Sequence, residues 1–460
     1  MLAQAGRTRS LGRNSANGEG YSQPSSRHSN SSSYDDHSPM RAPLLAAQAA
    51  YLADRISQDG KGTLEPPVSE ADILDYLEQA PRGDVVAVRR IILGSWINLL
   101  LVFVPLAVWA GHAGWDATLV FSFNLLALIP LALVLGDVTE DLALRFGDVI
   151  GGLLNATFGN IVEIILSISA LQKGLFTVVA TSLLGSILSN LLLVLGCCFL
   201  FGGIRFHIQT YNAVYNRTCS SLLFLSVIGV VLPTAAASLI PGANEAIVLA
   251  ISRGTAVILL SCYLCYLAFQ LFTHHDLFSG GGDGGGGGDG GQEGASCDED
   301  EGETPDLSLL AALSMLTAIT VVVAVCSEYL VGAIEEVSEQ TGLGQAFLGM
   351  IILPIAGNAC EHITAIVVAM KNKMDLALGV AVGSSIQIAL MAIPTVVIVA
   401  WVQGIPFSLN FDPFSVLALG LSVVHANNVT NDAMSHWLLG VQLIAVYMLI
   451  GIIYLYYPTS

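Results

Sequence analysis

Two short segments of this 460-residue chain carry the same acidic signature, Gly159-Asn160-Ile161-Val162-Glu163 and Gly357-Asn358-Ala359-Cys360-Glu361, 198 positions apart. In each, an Asn precedes a Glu by three residues, which places both on one helical face. At the same offset Gly185-Ser186 matches Gly383-Ser384 without a gap, and nine of the 38 positions from 159 to 196 equal their partners. Carboxylates, amide carbonyls and hydroxyls are oxygen donors, and Ca²⁺ takes about six to eight of them. Glycines tolerate backbone distortion that frees carbonyls toward a cavity. The candidate cation ligands are therefore Glu163, Glu361, Asn160, Asn358, Gly159, Gly357, Ser186, Ser384 and Gln387. Ser189, Asn190 and Ser385 add neutral oxygens nearby. No thiolate-rich set exists, which disfavours Zn²⁺ or Cu⁺.

These residues need elements to hold them, and the composition says what those are. Hydrophobic residues make up 54% of the chain and charged residues only 12%, with a mean hydropathy of +0.69. Soluble domains carry about 25% charged residues. The chain is therefore an all-α polytopic membrane protein in a lipid bilayer. A span needs about 20 apolar residues, and eleven segments qualify: 91–110, 117–136, 149–171, 175–202, 218–239, 246–272, 308–333, 345–370, 375–401, 412–426 and 436–457. The net charge of −19 argues against a nucleic-acid partner and suits cations. The eight cysteines lie mostly in apolar runs and form neither metal-binding pairs nor a disulfide framework. No paired catalytic aspartates, Ser–His or Ser–Lys arrangement or His-Glu-x-x-His helix is present. An enzyme is not expected, and no cofactor is called for.

The regions follow from the same reading. Residues 1–88 are a disordered cytosolic tail, Ser-rich from Ser25 to Ser38, with a short surface helix over Ser69–Leu77. Ten of the 17 basic residues fall before residue 91, which puts the N-terminus in the cytosol. Residues 89–112 carry the first span, 113–274 the first set of five, and 307–460 the second. Between them, 275–306 is a Gly-rich acidic cytosolic linker with ten acids and no Lys or Arg. Its run Asp298, Glu299, Asp300, Glu301 and Glu303 is a candidate regulatory loop that collects Ca²⁺. The first copy of the signature then lies in an outward-running span and the second in an inward-running one, so the halves are inverted. Inverted repeats bring equivalent residues together near the bilayer midplane.

A carboxylate at that depth costs at least about 2.5–3.5 kcal/mol, so two in equivalent places need a purpose. Without a cation, two facing carboxylates repel each other and are poorly solvated, and both effects favour proton uptake. A pocket that holds either a cation or protons is the basis of antiport. Glu163 and Glu361 are thus also the proton-coupling residues, with His362 as a relay. Glu140 and Glu328, in the related segments Thr139-Glu140-Asp141-Leu142 and Ser327-Glu328-Tyr329-Leu330, are expected near the cytosolic ends of their spans, as a cation entrance. Asp432 and His436 have no assigned role.

These motifs resemble the calcium/proton exchangers of the cation/calcium exchanger superfamily. The resemblance runs from about Ile91 to Tyr457 and rests on Asn155-Ala156-Thr157-Phe158-Gly159-Asn160-Ile161-Val162-Glu163, on Gly357-Asn358-Ala359-Cys360-Glu361-His362, and on Gly383-Ser384-Ser385-Ile386-Gln387. It implies eleven transmembrane helices, one auxiliary and two inverted repeats of five. It also implies a secondary antiporter of vacuolar or other acidic-organelle membranes, which moves cytosolic calcium inward against protons with Glu163 and Glu361 at the centre. An exchanger of the same fold for manganese, or one coupled to sodium or potassium, is the alternative. Oligomeric state is left open, a homo-oligomer included. The Gly-rich insertion departs from the family pattern.

Overall fold

The computed structural model describes residues 83–242, 244–274 and 305–457. Most of the tail and the linker run from Asp298 to Glu303 lie outside the described residues, so the disorder and surface helix expected of the first and the loop expected of the second are not addressed by it.

Helix α1 (Gly83–Leu93) meets α2 (Trp96–His112) at a 95° bend. Gly94 and Ser95 make the corner, and the Ser95 hydroxyl accepts from the Ile97 N–H at 3.3 Å. The expected first span thus starts at Trp96 rather than at 91, because the cap at Ser95 begins a new helix. Helix α3 (Ala117–Phe158) is helical over 42 residues with Pro130 inside it, but it turns back on itself after Phe146: a Cβ at Gly151 would lie 2.6 Å from the Ala143 carbonyl oxygen, eight residues earlier. Its membrane-length arm is Ala117–Phe146, about 45 Å at about 1.5 Å per residue. The expected separation of the 117–136 and 149–171 segments is present as this turn, although its residues stay helical, and a second break comes at Asn160. Then follow α4 (Ile161–Gln172), α5 (Phe176–Arg205), α6 (Ala213–Leu239), α7 (Glu245–Thr273), α8 (Leu309–Thr341), α9 (Gln345–Gly357), α10 (Ala359–Met370), α11 (Met374–Gln403), α12 (Pro413–Thr430) and α13 (Trp437–Leu455). Among the described residues, seven helices are long and apolar enough to cross a membrane, and up to nine if each bent pair is one span. The expected 149–171 and 412–426 segments correspond to the 12-residue α4 with the end of α3, and to the 18-residue α12.

α3 and α8 pack antiparallel along their lengths. At one end the Asp141 carboxylate accepts from the N–H groups of Asp306 (2.5 Å) and Leu307 (3.2 Å). At the other, the Thr118 hydroxyl donates to Gln340 Oε1 at 2.7 Å. We name these the linker end and the far end. At the linker end Asp84 of α1 accepts from the N–H and hydroxyl of Ser308, capping the start of α8, while Arg90 pairs with Asp306 at 2.7 Å. A two-residue ribbon joins β1 (Gln209–Thr210) to β2 (Met434–Ser435), antiparallel.

α5 and α11 are the most enclosed helices. Both contain a π-wound stretch, Ser189–Val194 and Ile388–Ala392, at the repeat offset. The Ser385 hydroxyl donates to the Ile187 carbonyl at 3.4 Å, and these two residues are themselves 198 apart. Repeat-equivalent positions touch only near the axis that relates the repeats, which therefore passes between α5 and α11. Outer helices present Leu417, Leu421, Val424, Leu449 and Ile452 outward, as a lipid-facing surface requires. The fold is a helical membrane protein.

Candidate functional site

The signature segments sit where helices break. Asn160 (φ −114°, ψ 20°) separates α3 from α4, and Asn358 (φ −97°, ψ 13°) separates α9 from α10 with a bend of 56°. Neither Asn side chain caps the helix that follows. Glu163 and Glu361 lie in the first turns of α4 and α10, where a helix end favours negative charge. At the end of α9 the Asn358 N–H donates to the Pro354 and Ala356 carbonyls, and later carbonyls of a helix end lack intrahelical donors as a rule. Carbonyls and carboxylates at broken helices are what a midplane cation site requires.

The two repeats contribute to each other's half. Glu163 is buried, and its Oε1 lies 3.5 Å from where a Cβ at Gly357 would sit. A cavity with room for a water-sized occupant touches Glu163, Ser167, Ser182, Ser186, Pro354 and Gly357. Glu361 is half-buried: Ser384 donates to its Oε1 at 3.3 Å, and Asn190 Nδ2 stands 3.5 Å from its Oε2. The two carboxylates are close enough to interact electrostatically. His362 Nε2 and the Ser189 hydroxyl are 3.0 Å apart, again across the repeats. Asn160 donates its Nδ2 to Gln387 Oε1 at 2.5 Å.

Several buried oxygens here have no hydrogen-bond partner: Glu163 Oε2, Asn160 Oδ1, Asn358 Oδ1, Asn190 Oδ1 and the Ser167 hydroxyl. An unsatisfied buried acceptor costs about 1–3 kcal/mol. A cluster of them fits a cation that supplies the missing positive charge. Among the described residues no group of three or more His, Cys, Asp or Glu gathers, so neutral oxygens must complete any cation shell.

Of the expected ligands, the structure brings Glu163, Ser186 and Gly357 to one cavity and pairs Glu361 with Ser384. It pairs Asn160 with Gln387 and leaves Asn358 buried at the other break. Gly159 is exposed at the end of α3.

The shared cytosolic entrance is corrected. Glu140 stands beside Asp141 at the linker end, but Glu328 lies 19 residues along α8 from Leu309, about 29 Å away, on the far half. There Lys173, at the far end of α4, donates to the Glu328 carbonyl at 3.0 Å. α3 and α8 are antiparallel, so like positions in them face opposite sides. Glu140 and Glu328 therefore stand at different levels of the α3–α8 pair and do not come together.

Sequence reasoning missed Ser167 and Asp137. Ser167 lies four residues after Glu163, a spacing that shares its face. Asp137 is half-buried on α3, one turn before Glu140, and acts electrostatically on Cys360 next to Glu361. The spacing Asp137-x-x-Glu140-Asp141 is its signal.

Comparison with known proteins agrees with this architecture. The family model for the sodium/calcium exchanger protein matches residues 116–272 and 311–456. The vacuolar calcium ion transporter of Schizosaccharomyces pombe is 43% identical over 372 residues, covering 80% of this chain and 87% of that one. A Ca²⁺/H⁺ antiporter of Synechocystis is 41% identical over 361 residues, covering 78% and 97%. Among solved structures, native YfkE superposes with a TM-score of 0.65 at 34% identity, over 78% of this chain and 99% of that one. The H⁺/Ca²⁺ exchanger CAX, at 14% identity and a TM-score of 0.57 over 78% and 91%, shares the fold. The family match spans both repeats and the relatives cover four-fifths of the chain: it belongs to the sodium/calcium exchanger protein family.

Proposed function

We propose that this protein is a Ca²⁺/H⁺ antiporter that moves calcium from the cytosol into an acidic, vacuole-type compartment. The observation that carries the reading is the pair of equivalent carboxylates, Glu163 and Glu361, at two helix breaks that face each other across the repeat axis among partnerless oxygens. Relatives named as vacuolar calcium transporters and Ca²⁺/H⁺ antiporters support it.

Calcium loses water on entering the site and gains Glu163, Glu361, the amide oxygens of Asn160 and Asn358, hydroxyls of Ser186 and Ser384, and carbonyls at the breaks. Protons neutralise the carboxylates on the return. An empty, doubly charged pocket repels itself and is poorly solvated, so the protein changes sides only with calcium or protons aboard. His362 beside Glu361 offers a second basic atom through which a proton can pass to the Ser189 hydroxyl.

Glu163→Gln and Glu361→Gln keep shape and remove charge. Each is expected to abolish proton-driven uptake of calcium into acidified vesicles while the protein still inserts. Uptake at the parent rate in either variant would remove that carboxylate from the site. Running the assay with Mn²⁺, and with Na⁺ or K⁺ gradients in place of protons, tests the alternative ions.

A further inference from the structure

Gln387 and Ser189 are repeat equivalents, 198 positions apart, each at the start of a π-wound stretch in a central helix. Both reach across to the broken helix of the other repeat, but they make different contacts. Gln387 Oε1 accepts from Asn160 Nδ2 at 2.5 Å. Ser189 is shorter and pairs with His362 at 3.0 Å instead. The consequence falls on the two equivalent asparagines, both 1% exposed. Asn160 has its nitrogen held and its oxygen without a partner, whereas Asn358 has neither atom partnered.

A primary amide presents an acceptor at one end and a donor at the other. Whichever end is held decides which end faces the opposite way. A cation is attracted by the oxygen and repelled by the NH₂ group, so an amide ligand binds well only if it is turned correctly. We propose that Gln387 is a positioning residue: by holding Asn160 Nδ2 it keeps Asn160 Oδ1 turned into the cation site beside Glu163. Gln387 then acts on the ion through Asn160 and does not supply a ligand oxygen itself, because that oxygen is engaged. The first-repeat half is organised before the ion arrives, and the second-repeat half, with Asn358 unheld, is ordered by the ion. The packing around the two halves differs as well. Gly185 is packed hard against Met350 and Pro354, while its equivalent Gly383 faces open space. Glu163 is buried, while Glu361 is half-buried. The proposal rests on the reading of Glu163 and Glu361 as the cation carboxylates.

The test is a double-mutant cycle on calcium uptake by the full-length protein in vesicles. Gln387→Met keeps the length and removes the acceptor. It is expected to raise the half-saturating calcium concentration by roughly three- to tenfold, as loss of one orienting hydrogen bond implies, with the maximal rate held within about twofold. The discriminating background is Asn160→Asp. A carboxylate has oxygen at both ends and needs no orientation, so Gln387→Met there should cost less than about twofold. An equal loss in both backgrounds would make Gln387 a direct ligand or a packing residue and overturn the proposal. So would an unchanged half-saturation in the single Gln387→Met variant. If Glu163→Gln and Glu361→Gln abolish uptake while Gln387→Met does nothing, only the positioning role fails. If those two variants transport normally, the underlying site assignment fails.

Discussion

Glu163 and Glu361 carry equal charge in unequal settings. Glu163 leaves Oε2 without a donor, whereas both oxygens of Glu361 have one, from Ser384 and Asn190. Both must release protons for calcium to bind, because a carboxylate that carries a proton is a poor cation ligand. The sign of the pH effect follows. As pH falls, protons fill the carboxylates and apparent calcium affinity drops; as it rises, affinity recovers to a plateau. Lowering the pH on the calcium-loading side from about 8 to about 6 should raise half-saturating calcium by on the order of tenfold or more. Uptake kinetics at clamped pH measure this, and a flat response across that range would mean that calcium and protons do not share the site. The equivalent glycines give a second contrast. A methyl at Gly185 would collide with the Met350 carbonyl and stand 2.7 Å from Pro354 Cγ, while one at Gly383 meets nothing within 4 Å. Gly185→Ala should therefore cost about 1–3 kcal/mol, as overpacking does, and Gly383→Ala should stay within about 0.5 kcal/mol of the parent. Thermal melts in detergent compare the two, and equal melting points would deny the tight contact between α5 and α9.

Helix α4 carries Glu163 near its start and ends in Lys173, so whatever holds its far end bears on how the site opens. The Lys173 amine lies over the Glu328–Gly332 turn of α8, bonded to the Glu328 carbonyl and close against Gly332, where an added Cβ would stand 2.7 Å from it. Gly332→Ala should displace the amine without removing its charge, and Lys173→Met should remove the donor. One exposed hydrogen bond contributes about 1 kcal/mol, so neither change should unfold the protein. Both should loosen the far end. A cysteine at Ser167, which lines the cavity beyond Glu163, should then react several-fold faster with a membrane-impermeant maleimide applied from that side. No change in either variant would show that this contact does not restrain α4. How much of this could be read beforehand depended on which signal the element leaves in the sequence. The breaks at Asn160 and Asn358 were legible because Gly-Asn-x-x-Glu occurs twice at one offset. The turn within α3 after Phe146 was legible as well, because the polar residues between 137 and 148 separate two apolar runs. The far-side position of Glu328 was missed: motif similarity to the Glu140 segment says nothing of strand-like direction, and antiparallel packing of α3 and α8 inverts the side. The hold of Gln387 on Asn160 joins positions 227 apart, and only the fold brings them together.

Across the whole molecule, charge is arranged by region. From residue 91 onward there are 25 acids against 7 bases, and ten of those acids belong to the stretch from Asp276 to Asp306. That stretch re-enters the fold at Asp306–Ser308, where Asp84, Asp141 and Arg90 hold the start of α8. Glu140 lies at this same end of α3, next to Asp141. Acids tethered at one mouth raise the local concentration of a divalent cation and speed its capture, and salt weakens the effect because the Debye length shrinks to about 10 Å at 0.1 M. They should act on capture and leave the central chemistry alone. Replacing Asp298, Glu299, Asp300, Glu301 and Glu303 by Asn or Gln is therefore expected to raise half-saturating calcium by about two- to fivefold at low ionic strength, through the loss of steering. Maximal rate and proton dependence should be unchanged, and the difference should shrink as salt is added. Deleting Gly284–Gly288 should alter little, since the cost of changing a flexible tether's length is small. An unchanged half-saturation point at low salt would leave these acids as a solvated run with no part in capture. Loss of transport even at saturating calcium would instead place the linker within the transport cycle, where its charge would have to act on the movement of one repeat against the other rather than on the arrival of the ion.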